Sequence, residues 1–152
     1  MSTRHLCRII VLQSLYQWTF WDYPADKWEI FFNKNMEEFG GDDIDEPEFA
    51  FKIMKGVVEN IDFIDEVIKR NTKHWPYEQI SMLEKNILRI AVYEIYFQDK
   101  NEVPLKVSID EAIILAKNFL NESAAKFING VLGSVYEEYV SQNVQSSQNK
   151  RD

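Results

Sequence analysis

One cysteine, five glycines, four prolines and two histidines in 152 residues are scarcities that each narrow what this chain can be. With Cys7 alone, no intrachain disulfide can form and nothing points to an oxidising compartment, so the cytosol is the expected location. Leu6, Ile9 and Ile10 surround Cys7 in sequence, and a thiol in that company reads as a small core filler rather than a reactive group. His5 and His74 have no Cys, His or carboxylate at metal-ligand spacing within their own helices, so no metal site is expected. There is no Gly-rich phosphate loop, no Gly-bounded serine elbow and no Cys-His arrangement, so neither catalytic residues nor a cofactor are expected. Long apolar runs are also missing. Ile9 to Leu12 is broken by Gln13, Ser14 and Gln17 well short of a membrane span, and no small-residue cleavage site follows, which argues against an anchor or signal peptide. Positive charge is scarce: 17 basic residues face 25 acidic ones, a net charge of −8. Such a balance disfavours indiscriminate nucleic-acid binding, so any RNA site must be local.

What the chain does have is apolar residues (45%) and aromatics (14%) in helical spacing, enough for one core. The densest pattern lies at 78–97, EQISMLEKNILRIAVYEIYF, where Ile80, Leu83, Ile87, Ile90, Ala91 and Ile95 form one stripe and Leu88, Val92, Tyr93 and Tyr96 close the circle. A helix apolar nearly all round must be central, and Arg89 and Glu94 inside it need partners or a place at the rim. A first helix runs from a cap at Ser2 or Thr3 to about Trp21, with Arg4, His5, Arg8 and Gln13 sharing a polar strip. A short aromatic helix spans 26–39 and is stopped by Gly40-Gly41. Residues 37–48 read as a solvated acidic loop. Pro47 opens a helix to about Val58, and Asn60 is a candidate cap for another at 61–70. Ser108 and Glu111 have the form of a capping box for a helix at 109–119, and Asn121 or Ser123 starts the last one. Seven helices and no credible strand pair predict an all-α fold of two packed helical halves, one domain over 1–140, with a polar, disordered tail at 141–152.

Two surface features could bind something. Lys126 beside Phe127 could place a charge next to a ring that stacks on an unpaired base, although the spacing of Phe127 to Val131 equally suits plain core. Glu78 and Glu84 could meet a basic partner, or form an ordinary solvated face.

Three blocks stand out: RIIVLQSLYQW at 8–18, Trp75 followed by EKNILRIAVYEI at 84–95, and Pro104-x-Lys106-Val107-x-Ile109-Asp110-Glu111-Ala112 followed by Ala116-Lys117-x-Phe119 and KFINGVL at 126–132. Together they resemble the NusB transcription antitermination factors. The resemblance implies the seven-helix NusB-like fold and no enzymatic activity. It implies pairing with NusE, a small-subunit ribosomal protein, and joint binding of the single-stranded boxA element in ribosomal RNA leaders, in the service of a transcribing RNA polymerase complex. By position it places Arg4, Arg8, Gln13, Tyr16, Lys126 and Phe127 on the RNA side and Glu78 and Glu84 on the NusE side, and it allows a homodimer that hides the RNA side. The basic opening is sparser here than the family's arginine cluster. Two alternatives stay open beside it: a helical protein-interaction module without an RNA role, and a fragment of an RNA methyltransferase that carries such a domain.

Overall fold

Every residue from Asn86 to Ile95 is buried, because the helix that carries them is surrounded by five others. The computed structural model describes residues 3–151, with side chains through residue 144. In chain order the helices are α1 (Thr3–Phe20), α2 (Trp28–Asn35), α3 (Pro47–Glu59), α4 (Ile61–Arg70), α5 (Met82–Phe97), α6 (Leu105–Phe119) and α7 (Glu122–Arg151). A π-helical turn, Met36–Gly40, and a 3-10 turn, Gly41–Asp43, follow α2, and a second 3-10 turn, Tyr77–Gln79, precedes α5. No strand occurs among the described residues. Helices α1, α3, α4, α6 and α7 pack on α5, and one continuous apolar cluster draws on all seven. The expected all-α fold of seven helices is the observed one.

The two charges inside α5 dictate how its neighbours sit. Glu94 is 1% exposed and receives Arg8 of α1 through Nη2–Oε1 at 2.6 Å and Nε–Oε2 at 3.0 Å. The Ser108 hydroxyl of α6 donates to it at 3.3 Å. Arg89, 2% exposed, takes Asp65 of α4 in a fork at 2.9 and 3.0 Å, and also donates to Asn86 and to the Tyr23 hydroxyl. Tyr23 and Asp22 hold positive φ, 60° and 65°, a conformation uncommon for such residues. Its cost is offset by the Tyr23 ring standing edge-on to Trp18 at 5.0 Å, by the Arg89 contact, and by Trp18 Nε1 donating to the Pro24 carbonyl. Where α3 crosses α5, Gly56 lies directly under the Tyr93 ring, and a Cβ there would collide with it.

Several local expectations are corrected. Ser108 and Glu111 form no capping box. Pro104, with φ −58° and ψ 147°, starts α6 at Leu105, and Ser108 is drawn inside because Glu94 needs its hydroxyl. The capping box belongs instead to α5, where the Glu84 amide donates to Ser81 Oγ at 3.1 Å and the Ser81 amide donates to Glu84 Oε1 at 3.2 Å, so that helix begins at Met82 rather than near Glu78. Asn60 does not cap α4 with its side chain; its Nδ2 donates back to the Gly56 carbonyl and closes α3. Asn121 does cap α7, accepting from the Ala124 amide at 2.8 Å. The acidic loop is not merely solvated, since Ile44 is buried and Glu46 pairs with Arg4 at 2.8 Å. The cap considered at Ser2 lies outside the described residues.

The last helix is pinned to α4 and α5 by polar contacts. Glu138 accepts from Arg70 at 2.9 Å and from the Tyr96 hydroxyl at 3.0 Å, and Ser134 donates to Asn71. Burial and the Glu138 carboxylate push the Tyr96 phenol up to about 12, so it remains a donor at neutral pH. Burial alone would raise Glu138; Arg70, Tyr96 and Asn71 outweigh it and hold the carboxyl below its ordinary range. The backbone of α7 continues to Arg151, through the segment expected as a disordered tail, since extending an existing helix costs far less than nucleating one.

Removing one member of a buried ion pair costs about 3–5 kcal/mol, more than the roughly 1.5–3 kcal/mol from burying a single aliphatic side chain. Glu94→Ala is therefore expected to lower unfolding stability by about that larger amount, because Arg8 stays buried without its partner. The double variant Arg8→Met/Glu94→Leu should lose much less, and denaturant unfolding of the three proteins measures both.

Candidate nucleic-acid interface

Of the positions named for the RNA side, the structure uses the first two arginines internally. Arg8 is 2% exposed and held by Glu94, with Glu111 of α6 3.9 Å from its Nη1. Arg8 lies on one helical stripe with Val11, Leu12 and Leu15, all buried. Arg4 binds Glu46 through Nε and the Glu102 carbonyl through Nη1, with its guanidinium over the Phe49 ring at 4.6 Å. His5 meets Glu111 at 2.8 Å. The first three members of the polar strip expected along α1 are thus tied to other elements of the fold, and Arg8 has no surface from which to touch RNA.

Gln13 and Tyr16, further along α1, do reach solvent and line one cleft with the ends of α2, α5 and α6. Phe127 lines a second cleft, of about 440 Å³, and Lys126 beside it is exposed. The Phe127 ring is neither enclosed nor free. It packs against the core from a half-buried position and stands edge-on to Trp75, with centroids 5.2 Å apart and planes at 76°. Trp75, 51% exposed, is the ring that sequence reasoning left without a role. Its position just ahead of a buried helix, in a connector, was the available signal.

Glu84, placed on the partner side, lines the same cleft as Phe127. Glu78 is exposed on the 3-10 turn before α5. Their surroundings are mixed in charge: Lys69 and Lys85 flank the Tyr77 ring at 5.1 and 4.1 Å. Burial pushes the Tyr77 phenol up to about 12, and burial followed by nearby Arg89 draws the Lys85 ammonium down. The two clefts adjoin, since Leu83 and Phe119 line one while Glu84 and Leu120 line the other. Among the described residues no group of three or more His, Cys, Asp or Glu could hold a metal ion, and no helix is long and apolar enough to cross a membrane.

An all-helical body with adjoining clefts of rings, carboxamides and a carboxylate at the meeting of α1, α5, α6 and α7 defines a helical recognition domain. The chain belongs to the NusB family, whose model matches residues 5–137. It is 40% identical over 137 residues to the transcription antitermination protein NusB of Dehalococcoides mccartyi strain CBDB1, covering 88% of this chain and 90% of that one. Thermotoga maritima NusB superposes with a TM-score of 0.77 at 31% identity, over 91% of this chain and 92% of the other. A crystal structure of the antitermination factors NusB and NusE in complex with double-stranded RNA contains a chain that superposes with a TM-score of 0.76 at 29% identity, over 91% and 99%.

Glu84 both lines the cleft and completes the capping box of α5, and its capping role can be isolated by substitution. Gln serves in a capping box as Glu does, so Glu84→Gln should melt like the parent protein. Glu84→Lys loses the reciprocal bond and puts a cation at a helix N-terminus, at a cost of about 1 kcal/mol. Thermal unfolding of the two variants reads the difference.

Proposed function

We propose that this protein is a non-enzymatic transcription antitermination factor that binds the boxA element of ribosomal RNA leaders jointly with NusE. The observation that carries this is the cleft that Phe127 and Glu84 line together, with exposed Lys126 beside Phe127 in the chain, on a body of the NusB family. A NusB–NusE–RNA structure among the similar folds supports the same pairing. The RNA in that structure is double-stranded, whereas open rings such as Tyr16 and Trp75 suit unpaired bases, because only unstacked bases offer their faces. Glu78 and Glu84 serve the NusE side; Gln13, Tyr16, Lys126 and Phe127 serve the RNA side, with Arg4 contributing what its pairing to Glu46 leaves free. The complex acts in the cytoplasm on a transcribing RNA polymerase, and a homodimer of the free protein would hide the RNA side.

With net charge −8 and its opening cations tied up internally, the chain alone meets phosphate repulsion that a basic partner would offset. Titration of boxA RNA across salt should therefore show weak binding by the chain alone, with a log–log slope no steeper than about −1.4, roughly 0.7 for each of Arg4 and Lys126. Adding NusE should strengthen binding and steepen the slope; equal affinity in both cases refutes a composite surface.

Phe127→Leu keeps the apolar volume but loses the ring. It is expected to weaken RNA binding about 10-fold, within the usual range for a base–ring stack, with little change in melting. A fall in melting temperature with RNA affinity intact would assign Phe127 to the core alone.

The internal pairing of Arg4, His5 and Arg8 favours one second reading, a protein-interaction module without an RNA role. Ultraviolet crosslinking in cells separates the two, since only the first leaves RNA covalently attached to this chain.

A further inference from the structure

The cleft beside Tyr16 measures about 610 Å³, inside the range of roughly 300–1,000 Å³ that small-ligand sites occupy. Three elements bring a ring to it: Tyr16 from α1, Phe39 from the π-helical turn and Phe119 from the end of α6, exposed to 46%, 49% and 43%. Rings gathered this openly call for an occupant. The π-helical turn that carries Phe39 is itself a departure from regular helix of the kind that concentrates at functional sites.

The polar groups of the cleft say which occupant. Buried Asn35 donates through Nδ2 to Ser14 Oγ at 3.0 Å and to Gln17 Oε1 at 2.8 Å, which holds the Gln17 carboxamide while leaving its NH2 without a partner among the described residues. The Gln13 carboxamide likewise makes no hydrogen bond among them. A carboxamide offers a donor and an acceptor side by side, the pattern that reads the edge of a base. An aliphatic protein side chain would cover the rings but strand both carboxamides. At the rim Lys34 and Glu38 stand one turn apart and cancel, so this mouth is locally neutral on a chain of net charge −8.

We propose that this cleft takes a single unpaired nucleobase, stacked between Tyr16 and Phe39 and read at its edge by Gln13 and Gln17. The site rests on the RNA function proposed above and adds to it a second base position. The two clefts meet at neighbouring residues of α5 and α6, so one strand can seat one base in this cleft and another against Phe127.

The test titrates the complex of this chain with NusE against single-stranded boxA leader RNAs in which each nucleotide in turn is replaced by an abasic one. With the parent protein, two positions should each lose about 10-fold in affinity. In Phe39→Ala the penalty at one of them should disappear, because that base has already lost its ring; in Phe127→Leu the other should disappear. Gln13→Ala should flatten the preference among the four bases at the Phe39-dependent position alone. Phe39 is half exposed, and Tyr16→Ala repeats the measurement should Phe39→Ala prove less stable. Two penalties that persist unchanged in both Phe39→Ala and Tyr16→Ala overturn the base pocket while leaving RNA binding intact. Loss of NusE by these variants with the abasic profile unchanged hands the cleft to protein and also overturns it. Failure of the parent complex to bind any of the RNAs overturns both the pocket and the function it rests on.

Discussion

A carboxylate at 1% exposure on the central helix cannot be left alone, because an unpaired charge in a protein interior is among the costliest features a fold can carry. Glu94 therefore has to be met, and what meets it sets the rotation of two other helices. Arg8 fixes α1 against α5, and Ser108 fixes α6 on the same group. Tyr16 lies eight residues beyond Arg8 on α1, about 12 Å along the axis, so anchoring one end of the helix aims its other end into the cleft. The ion pair and the candidate recognition surface are two ends of one rigid element.

At the other end of α5, a second polar arrangement does related work. Ser81 and Glu84 cap each other's backbone and determine where the helix begins. That start sets Leu83 and Glu84 at the seam between the two clefts. The helix terminus, the core and the cleft thus share residues at this seam: Glu84 completes a helix terminus and lines a cleft, and Phe127 packs on the core while presenting part of its ring beside Trp75.

Charge is handled differently from what the opening helix suggests. Its polar side chains spend themselves on carboxylates from other elements, Arg4 on Glu46, His5 on Glu111 and Arg8 on Glu94. What remains for a ligand near α1 is mostly ring and amide, chemistry that favours bases over phosphates.

The number and order of helices, the centrality of α5, the bounds of α4 and the need of Arg89 and Glu94 for partners were legible in the sequence, because they follow from local periodicity and the cost of buried charge. The KFINGVL run and its companions also carried the family likeness. Ser108 and Glu111 misled because a capping-box pattern is local, while both side chains answer to α1 and α5, far away in sequence. Neither the meeting of Phe39 with Phe119 nor that of Trp75 with Phe127 was legible, since nothing in spacing along the chain says which rings of different elements converge. The sequence by itself determined which stretches become helices and which faces seek the interior, because hydrophobic periodicity acts within each segment. Only the tertiary structure decided that Arg8 is a strut, that Glu84 and Phe127 share one cleft and that Tyr16 and Phe39 share another, because those relations depend on how separate helices rotate and cross once their buried charges have found each other.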